Sequence, residues 1–274
     1  MENIRRMIGF FLKKNFCDGW DNILYLLVPN IIISLSSALA FFILSCLISL
    51  ESSFAMVLTC AALIILLALV MVLAMAFSEN AAEIANFSMP SIASYFRQIP
   101  KVFSNAFRYG ALIGLLVVAG AIGIPVYNSM GGILGNALAL LLLAFEIVFF
   151  LSLQWFVPLR ALLHDNFSKC LKKCFIIFFD NTAFSIFMFF HNLILAALSF
   201  MIFTVLPGTC GIVLAQVNAL RLRLYKYDWL DANPQFKSAK YRKNIPWDAL
   251  LENDRTTLGP RPFKSFFMPY KQEQ

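Results

Sequence analysis

A single carboxylate stands in the middle of an apolar run: Glu146, within Leu143-Ala144-Phe145-Glu146-Ile147-Val148. An ionised carboxylate facing lipid costs several kcal/mol, so this side chain is expected to face other helices, to pair, or to hold a proton. The companion polar residues in apolar surroundings are His191, Asn192, Gln154 and Gln216. At 1.5 Å per helical residue, Glu146 lies about 18 Å from the inner end of its helix and His191 about 12 Å, a gap that side chains can close. An intramembrane polar cluster of these five residues follows as an expectation. It is open to two meanings: a path for protons or a solute, or a hydrogen-bonded packing node of the kind that joins membrane helices.

Other chemistry finds little footing. The chain has no Gly-rich phosphate loop, no His-Glu-x-x-His and no Gly-x-Ser-x-Gly, and its two histidines, His164 and His191, are far apart. A catalytic zinc site usually takes three protein ligands, and Cys170 and Cys174 share a helix face without a matching second pair. His164-Asp165 reads as a solvated loop pair following Arg160. No catalytic residue, metal or cofactor is therefore expected, and an enzyme is the weakest of the functional classes.

The elements that must position Glu146 are membrane helices. With 60% hydrophobic and 14% charged residues, and a mean hydropathy of +0.76, the chain lies outside the usage of soluble domains. All 22 Lys and Arg residues fall in four stretches, 1–22, 78–108, 159–174 and 221–274, which alternate with long apolar runs. Since cytoplasmic segments retain Lys and Arg, three hairpins should leave and re-enter the bilayer with both termini cytoplasmic. The net charge of +7 is then explained by orientation and by anionic lipid, so nucleic acid is not an expected partner. Cys17, Cys170 and Cys174 fall in the inner stretches, where thiols stay reduced, and no disulfide framework is implied. Cys46 and Cys60 stand about one to two turns below the outer surface on consecutive spans, where the two readings are thiols that face one another and small buried hydrophobes.

These runs predict an all-α polytopic membrane bundle of six transmembrane helices, arranged as three hairpins each preceded by a basic, amphipathic cytoplasmic pre-helix, over about 23–50, 54–77, 109–128, 132–158, 183–205 and 208–224. The first is too long for a signal peptide and is retained. The apolar run from Phe175 to Leu206 exceeds one crossing, so its beginning should lie along the inner surface as an amphipathic pre-helix. A unit recurs three times: basic stretch, inner-mouth Asn, apolar hairpin. The strings are Trp20-Asp21-Asn22, Phe103-Ser104-Asn105 and Phe179-Asp180-Asn181. Asp21, Asn22, Asn105, Asp180 and Asn181 are candidate N-caps of the outgoing helices. Gly110 with Gly114, and Gly131 with Gly135, are small-residue pairs suited to close helix packing, within the chain or between two copies. Pro125 and Pro158 read as helix boundaries.

Residues 225–274 form a basic cytoplasmic tail. Pro246 followed by Trp247, Leu250, Leu251 and Leu258 predicts a short amphipathic helix ending at Gly259-Pro260. Beyond it, Phe263, Phe266, Phe267 and Tyr270 alternate with bases, a string suited to docking on the protein's own inner face, on lipid, or on a partner.

The strings Phe16-Cys17-Asp18-Gly19-Trp20-Asp21-Asn22 and Trp155-Phe156-Val157-Pro158-Leu159-Arg160, with the basic stretch to Lys173, resemble the YesL-like family of bacterial membrane proteins over about residues 10–220. That resemblance implies residence in a bacterial cytoplasmic membrane and an accessory role beside an ABC-type solute uptake transporter. It supplies no catalytic residue. The expected function is a non-enzymatic accessory or assembly component whose partners are the bilayer and a membrane protein such as a transporter. A secondary transporter or channel using Glu146 is the alternative, and the oligomeric state is left open.

Overall fold

The computed structural model describes residues 2–202, 205–236 and 245–261. All regular structure among them is helical: α1 (Glu2–Asp21), α2 (Ile23–Ile48), α3 (Ser53–Ala85), α4 (Ile92–Ser129), α5 (Gly132–Leu153), α6 (Phe156–Leu163), α7 (Phe167–Asp180), α8 (Thr182–Met201), α9 (Gly208–Ala232), a 3-10 turn (Pro234–Phe236), α10 (Trp247–Leu250) and α11 (Glu252–Leu258). Among the described residues, five segments are long and apolar enough to cross a membrane: α2, α3, α4, the α5–α6 pair and α8. The chain is thus a multi-pass, membrane-embedded helical protein.

Apolar residues cover the outer parts of α2 to α5, where Leu35, Phe42, Phe54, Leu115, Ile133 and Leu141 are all exposed. A surface of this kind is stable only in hydrocarbon or against another apolar surface. Inside it, glycine sets the spacing of α3 and α4. A methyl group on Gly110 would lie 2.5 Å from Ala68 Cα, and one on Gly114 would lie 2.9 Å from Ile64 Cα. The pair therefore serves packing within the chain. Gly131 does not continue the motif: with φ of 66° it sits in the α4–α5 turn, and Gly135 lies over Tyr127 O. Pro158 stands in the first turn of α6, whereas Pro125 lies inside α4 rather than ending it.

The core sits at the opposite end. There α9 runs between α1, α2, α3, α6 and α8. Most of its residues from Gly208 to Leu222 are buried. The amphipathic pre-helices predicted before the first and third hairpins are α1 and α7. On α1 the buried positions are Met7, Phe10, Phe11, Lys14, Cys17 and Asp18, a three-and-four spacing that makes one face. On α7 they are Cys170, Cys174, Ile177 and Phe178. Before the second hairpin, by contrast, the basic stretch runs unbroken into the span as one helix, α4.

One buried asparagine sets the depth of the last hairpin. Asn30 of α2 donates from Nδ2 to Val205 O and Pro207 O, both at 2.9 Å, and accepts from Cys210 N at 2.8 Å. Gly208, with φ of 63°, abuts the same amide and leaves no room for a side chain. Eighteen residues separate Asn30 from Ile48, so the α8–α9 turn lies about 27 Å short of the Ile48 end of α2, measured along that helix. The segment expected to be a sixth full span, 208–224, instead begins beside Asn30, and its helix continues to Ala232.

Candidate functional site

The end of the bundle where α1, α9 and α11 meet, called the inner end after the sequence expectation, holds a connected set of buried charges. Lys14 and Asp18, 2% and 5% exposed, are one helical turn apart on α1, and Lys14 Nζ lies 2.9 Å from Asp18 Oδ2. From α9, Asn218 Nδ2 donates to Asp18 Oδ2 at 2.9 Å. The Lys14 ammonium also rests 3.7 Å from the centre of the Phe87 ring, which Arg221 approaches at 5.6 Å. Arg221 pairs with Asp254 of α11 at 3.0 Å, and Tyr225 OH donates to the same carboxylate at 3.3 Å. Burial pushes the Lys14 ammonium down and the Asp18 carboxyl up from their ordinary values, and each opposes the other's shift by its charge.

A second node joins α7, α8 and α9. Lys226 pairs with Asp180 at 2.8 Å and donates to Asn181 Oδ1 at 2.8 Å. Tyr227 OH donates to Asp180 at 2.9 Å and accepts from Asn181 Nδ2 at 2.6 Å. Burial, followed by the Asp180 charge, pushes the Tyr227 phenol up, so it remains a donor. Beside it lies Arg223, 6% exposed. Its Nη1 is 3.4 Å from Asn181 Oδ1 and its Nη2 is 3.2 Å from Met7 Sδ. Its guanidinium is 4.0 Å from the centre of Phe184 and 5.1 Å from that of Trp247. Arg223 Nε has no hydrogen-bond partner.

The polar residues of the apolar runs are not joined in this way. Glu146 faces inward, 9% exposed, with its carboxylate pressed onto the bare backbone of Gly120 on α4. Its Oε1 is buried without a hydrogen-bond partner, as are His191 Nδ1, Asn192 Oδ1 and Gln154 Oε1. No hydrogen bond links Glu146 to His191, Asn192, Gln154 or Gln216. Instead, Gln154 donates to Ser185 O at 3.0 Å, and His191 packs against Phe11 with ring centres 5.1 Å apart. Gln216 is half-buried on α9.

The expected caps stand at the right places in two of three cases but do other work. Asn22 and Asn181 occupy the N-cap positions of α2 and α8, and neither caps with its side chain. Asn22 donates to Asp18 O at 2.9 Å, while Asn181 serves the Lys226 node. Asp180 is that node's carboxylate, and Asp21 is paired with Arg261. Asn105 lies mid-helix in α4, where it accepts from Arg108 at 3.1 Å. The α4 helix is continuous at Asn105 and leaves no free N–H there to cap.

The described part of the tail beyond the 3-10 turn, 245–261, packs back on the protein itself, with α10 against α1. Trp247, Leu251 and Leu258 are buried and Leu250 is half-buried, although a break at Leu251 divides the expected helix into α10 and α11. Asp248 bridges Arg6 of α1 and Arg255 at 3.0 and 2.8 Å. Phe263, Phe266, Phe267 and Tyr270 lie outside the described residues. His164 and Asp165 do not pair: His164 approaches Glu79 at 3.6 Å, and Asp165 takes Lys173. All six cysteines are free, and burial pushes the Cys17, Cys170 and Cys174 thiols up, away from the reactive thiolate.

Sequence reasoning missed Asn30, Lys14, Asp18, Arg223 and Lys226. The α1 residues carried a signal, since Lys14 and Asp18 fall on the apolar face that Met7, Phe10 and Phe11 begin. The α9 bases carried none, because Arg221, Arg223 and Lys226 read equally well as solvated flanks of a span. Three cavities accompany these groups. One of about 330 Å³ reaches Arg223 and Lys226 between α1, α8 and Trp247. The other two, of about 780 and 430 Å³, lie around Arg255 at the tail. Comparison with protein-family models, curated proteins and solved structures finds no match to this chain.

Proposed function

We propose that this protein is a non-enzymatic accessory or assembly component of a bacterial membrane system, such as a solute uptake transporter, and that it resides in the cytoplasmic membrane. In this proposal both chain ends face the cytoplasm, because the basic stretches stay inside. The hairpins α2–α3 and α4–α5 cross fully, and the third, α8–α9, turns back beside Asn30.

The observation that carries this reading is where the buried polar groups are directed. Lys14 and Asn218 bond to Asp18, Arg221 bonds to Asp254, and Lys226 bonds to Asp180 and Asn181, so that these groups tie α1, α7, α9 and α11 together. They make a stiff inner base, while the outer walls of α2 to α5 are apolar and free to meet other membrane helices. Such walls associate by close packing in lipid. Purification in two mild detergents is expected to recover a membrane protein partner in a fixed ratio. Recovery of this chain alone in both would sink the proposal.

One observation favours a conducting path as the second reading: the buried Oε1 of Glu146 without a donor. Glu146→Gln separates the two. An assembly role predicts unchanged partner recovery and unchanged activity of the host system, whereas a proton or solute path predicts loss of transport while the complex persists.

A further inference from the structure

We infer that the cavity between α1, the start of α8 and Trp247 is a binding site for a phosphate group carrying an apolar remainder, as a phospholipid does. Three features meet there. The first is Arg223, whose guanidinium is buried, lines the cavity, and has no carboxylate within ion-pair distance among the described residues. Its Nε points to no acceptor. A buried guanidinium is costly without an anion, and its planar donor fork matches the oxygens of phosphate. The second is Lys226 on the same wall, one helical turn further along α9. With Asp180 also lining the cavity, the three groups sum to one positive charge, so an anion is favoured.

The third feature is the first turn of α8. Thr182, Ala183 and Phe184 line the cavity, and no side chain caps this helix. The N–H groups of a helix's first turn lack intrahelical partners, and its dipole favours negative charge. The remaining wall is apolar, with Ile8, Phe187 and Trp247 extending from the charged end. Thr182 and Ala183 are exposed, as is Ile186 one turn on. The cavity thus opens where the apolar surface of α8 begins. A phosphate held by Arg223 leaves its alkyl part lying along Phe187 and the surface of α8. The shared chemistry is phosphate, supplied by a lipid headgroup or by a soluble phosphate ester.

The test uses the full chain in neutral detergent. Dioleoyl phosphatidic acid, dioleoyl phosphatidylcholine and inorganic phosphate are titrated separately, with native mass spectrometry and thermal unfolding as readouts. Saturable binding of phosphatidic acid, with little from phosphatidylcholine, is expected and identifies a lipid source. Saturable binding of inorganic phosphate alone supports the same site with a soluble ester as its source. Arg223→Gln should weaken binding roughly tenfold or more, because a charge-assisted pair is removed. Arg223→Lys keeps the charge and should retain part of the affinity, which guards against a folding defect. A photoactivatable phosphatidic acid on the unmodified protein should label residues 182–187 or Ile8. No saturable binding of either phosphate probe, an affinity unchanged in Arg223→Gln, or labelling confined to α2–α5 overturns the inference.

Discussion

The outer hairpins and the inner base hold helices together by opposite means. Between α3 and α4, cohesion comes from removing side chains, so that Gly110 and Gly114 bring one backbone onto another. At the base it comes from adding long charged side chains, and Lys14, Asp18, Arg221, Arg223 and Lys226 reach between elements distant in sequence. The contrast follows from solvent. In hydrocarbon no apolar driving force separates helix from lipid, so close packing must supply the attraction. At the inner end, helices can bury charge if each charge finds a partner, and the partners then dictate which helices meet.

The comparison breaks most sharply at the Lys14–Asp18 pair. Asp18→Asn leaves the Lys14 ammonium buried beside a neutral amide, and thermal or denaturant unfolding in detergent should show a loss of about 3–5 kcal/mol. Adding Lys14→Met should recover most of it, since the amide still accepts from Asn218. If the single variant is as stable as the native protein, the base is not held by its charges. Gly110→Val tests the other half: a side chain forced against Ala68 is expected to cost on the order of 1–3 kcal/mol. Gly19→Ala on α1, with nothing within 4 Å of an added methyl, should be neutral or stabilising by about 0.5–1 kcal/mol. Equal effects at the two glycines would remove the claim that backbone contact is special to the outer hairpins.

The smallest effect belongs to the tail. Arg255, and after it Arg6, hold the exposed Asp248 carboxyl below the usual range. A depressed carboxyl pKa contributes stability that is present above the unfolded value of about 3.9 and is lost as pH falls through the lower folded one. The hydrogen-exchange protection factors of 247–258, taken relative to intrinsic rates at each pH, should therefore be constant from pH 7 down to about 4.5. At pH values below about 3.9, protection beyond the intrinsic pH dependence should fall. High salt at neutral pH should weaken it as well, because exposed pairs are screened.

Much of this architecture was legible in the residues. Apolar runs report helices by length and composition alone, which is how α2, α5 and α8 could be placed within about five residues, whereas α3 runs on to Ala85 and α4 begins at Ile92, well outside the expected 54–77 and 109–128; the three-and-four spacing of Met7, Phe10 and Phe11 marks the buried face of α1. The break before the third hairpin was expected near Ala183 and falls at Asn181. The candidate site was far less legible. Glu146, His191, Asn192, Gln154 and Gln216 share polarity and approximate depth, but depth says nothing about which way each helix is turned. The residues that do meet are Asp18 with Asn218 and Met7 with Arg223, pairs about two hundred positions apart that no local pattern reports.

Helical class and membrane residence were determined by the sequence itself, because both depend on how many consecutive residues are apolar, a property that needs no neighbours. Which charges are buried, and how deep the last hairpin reaches, were decided only in the tertiary structure. Arg223 reads as an ordinary flanking base until Phe184, Trp247 and Met7 close over it. The α8–α9 turn likewise reads as a far-surface loop until Asn30 takes its backbone groups. Burial and hydrogen bonding are properties of the assembled neighbours, so neither is written in one segment.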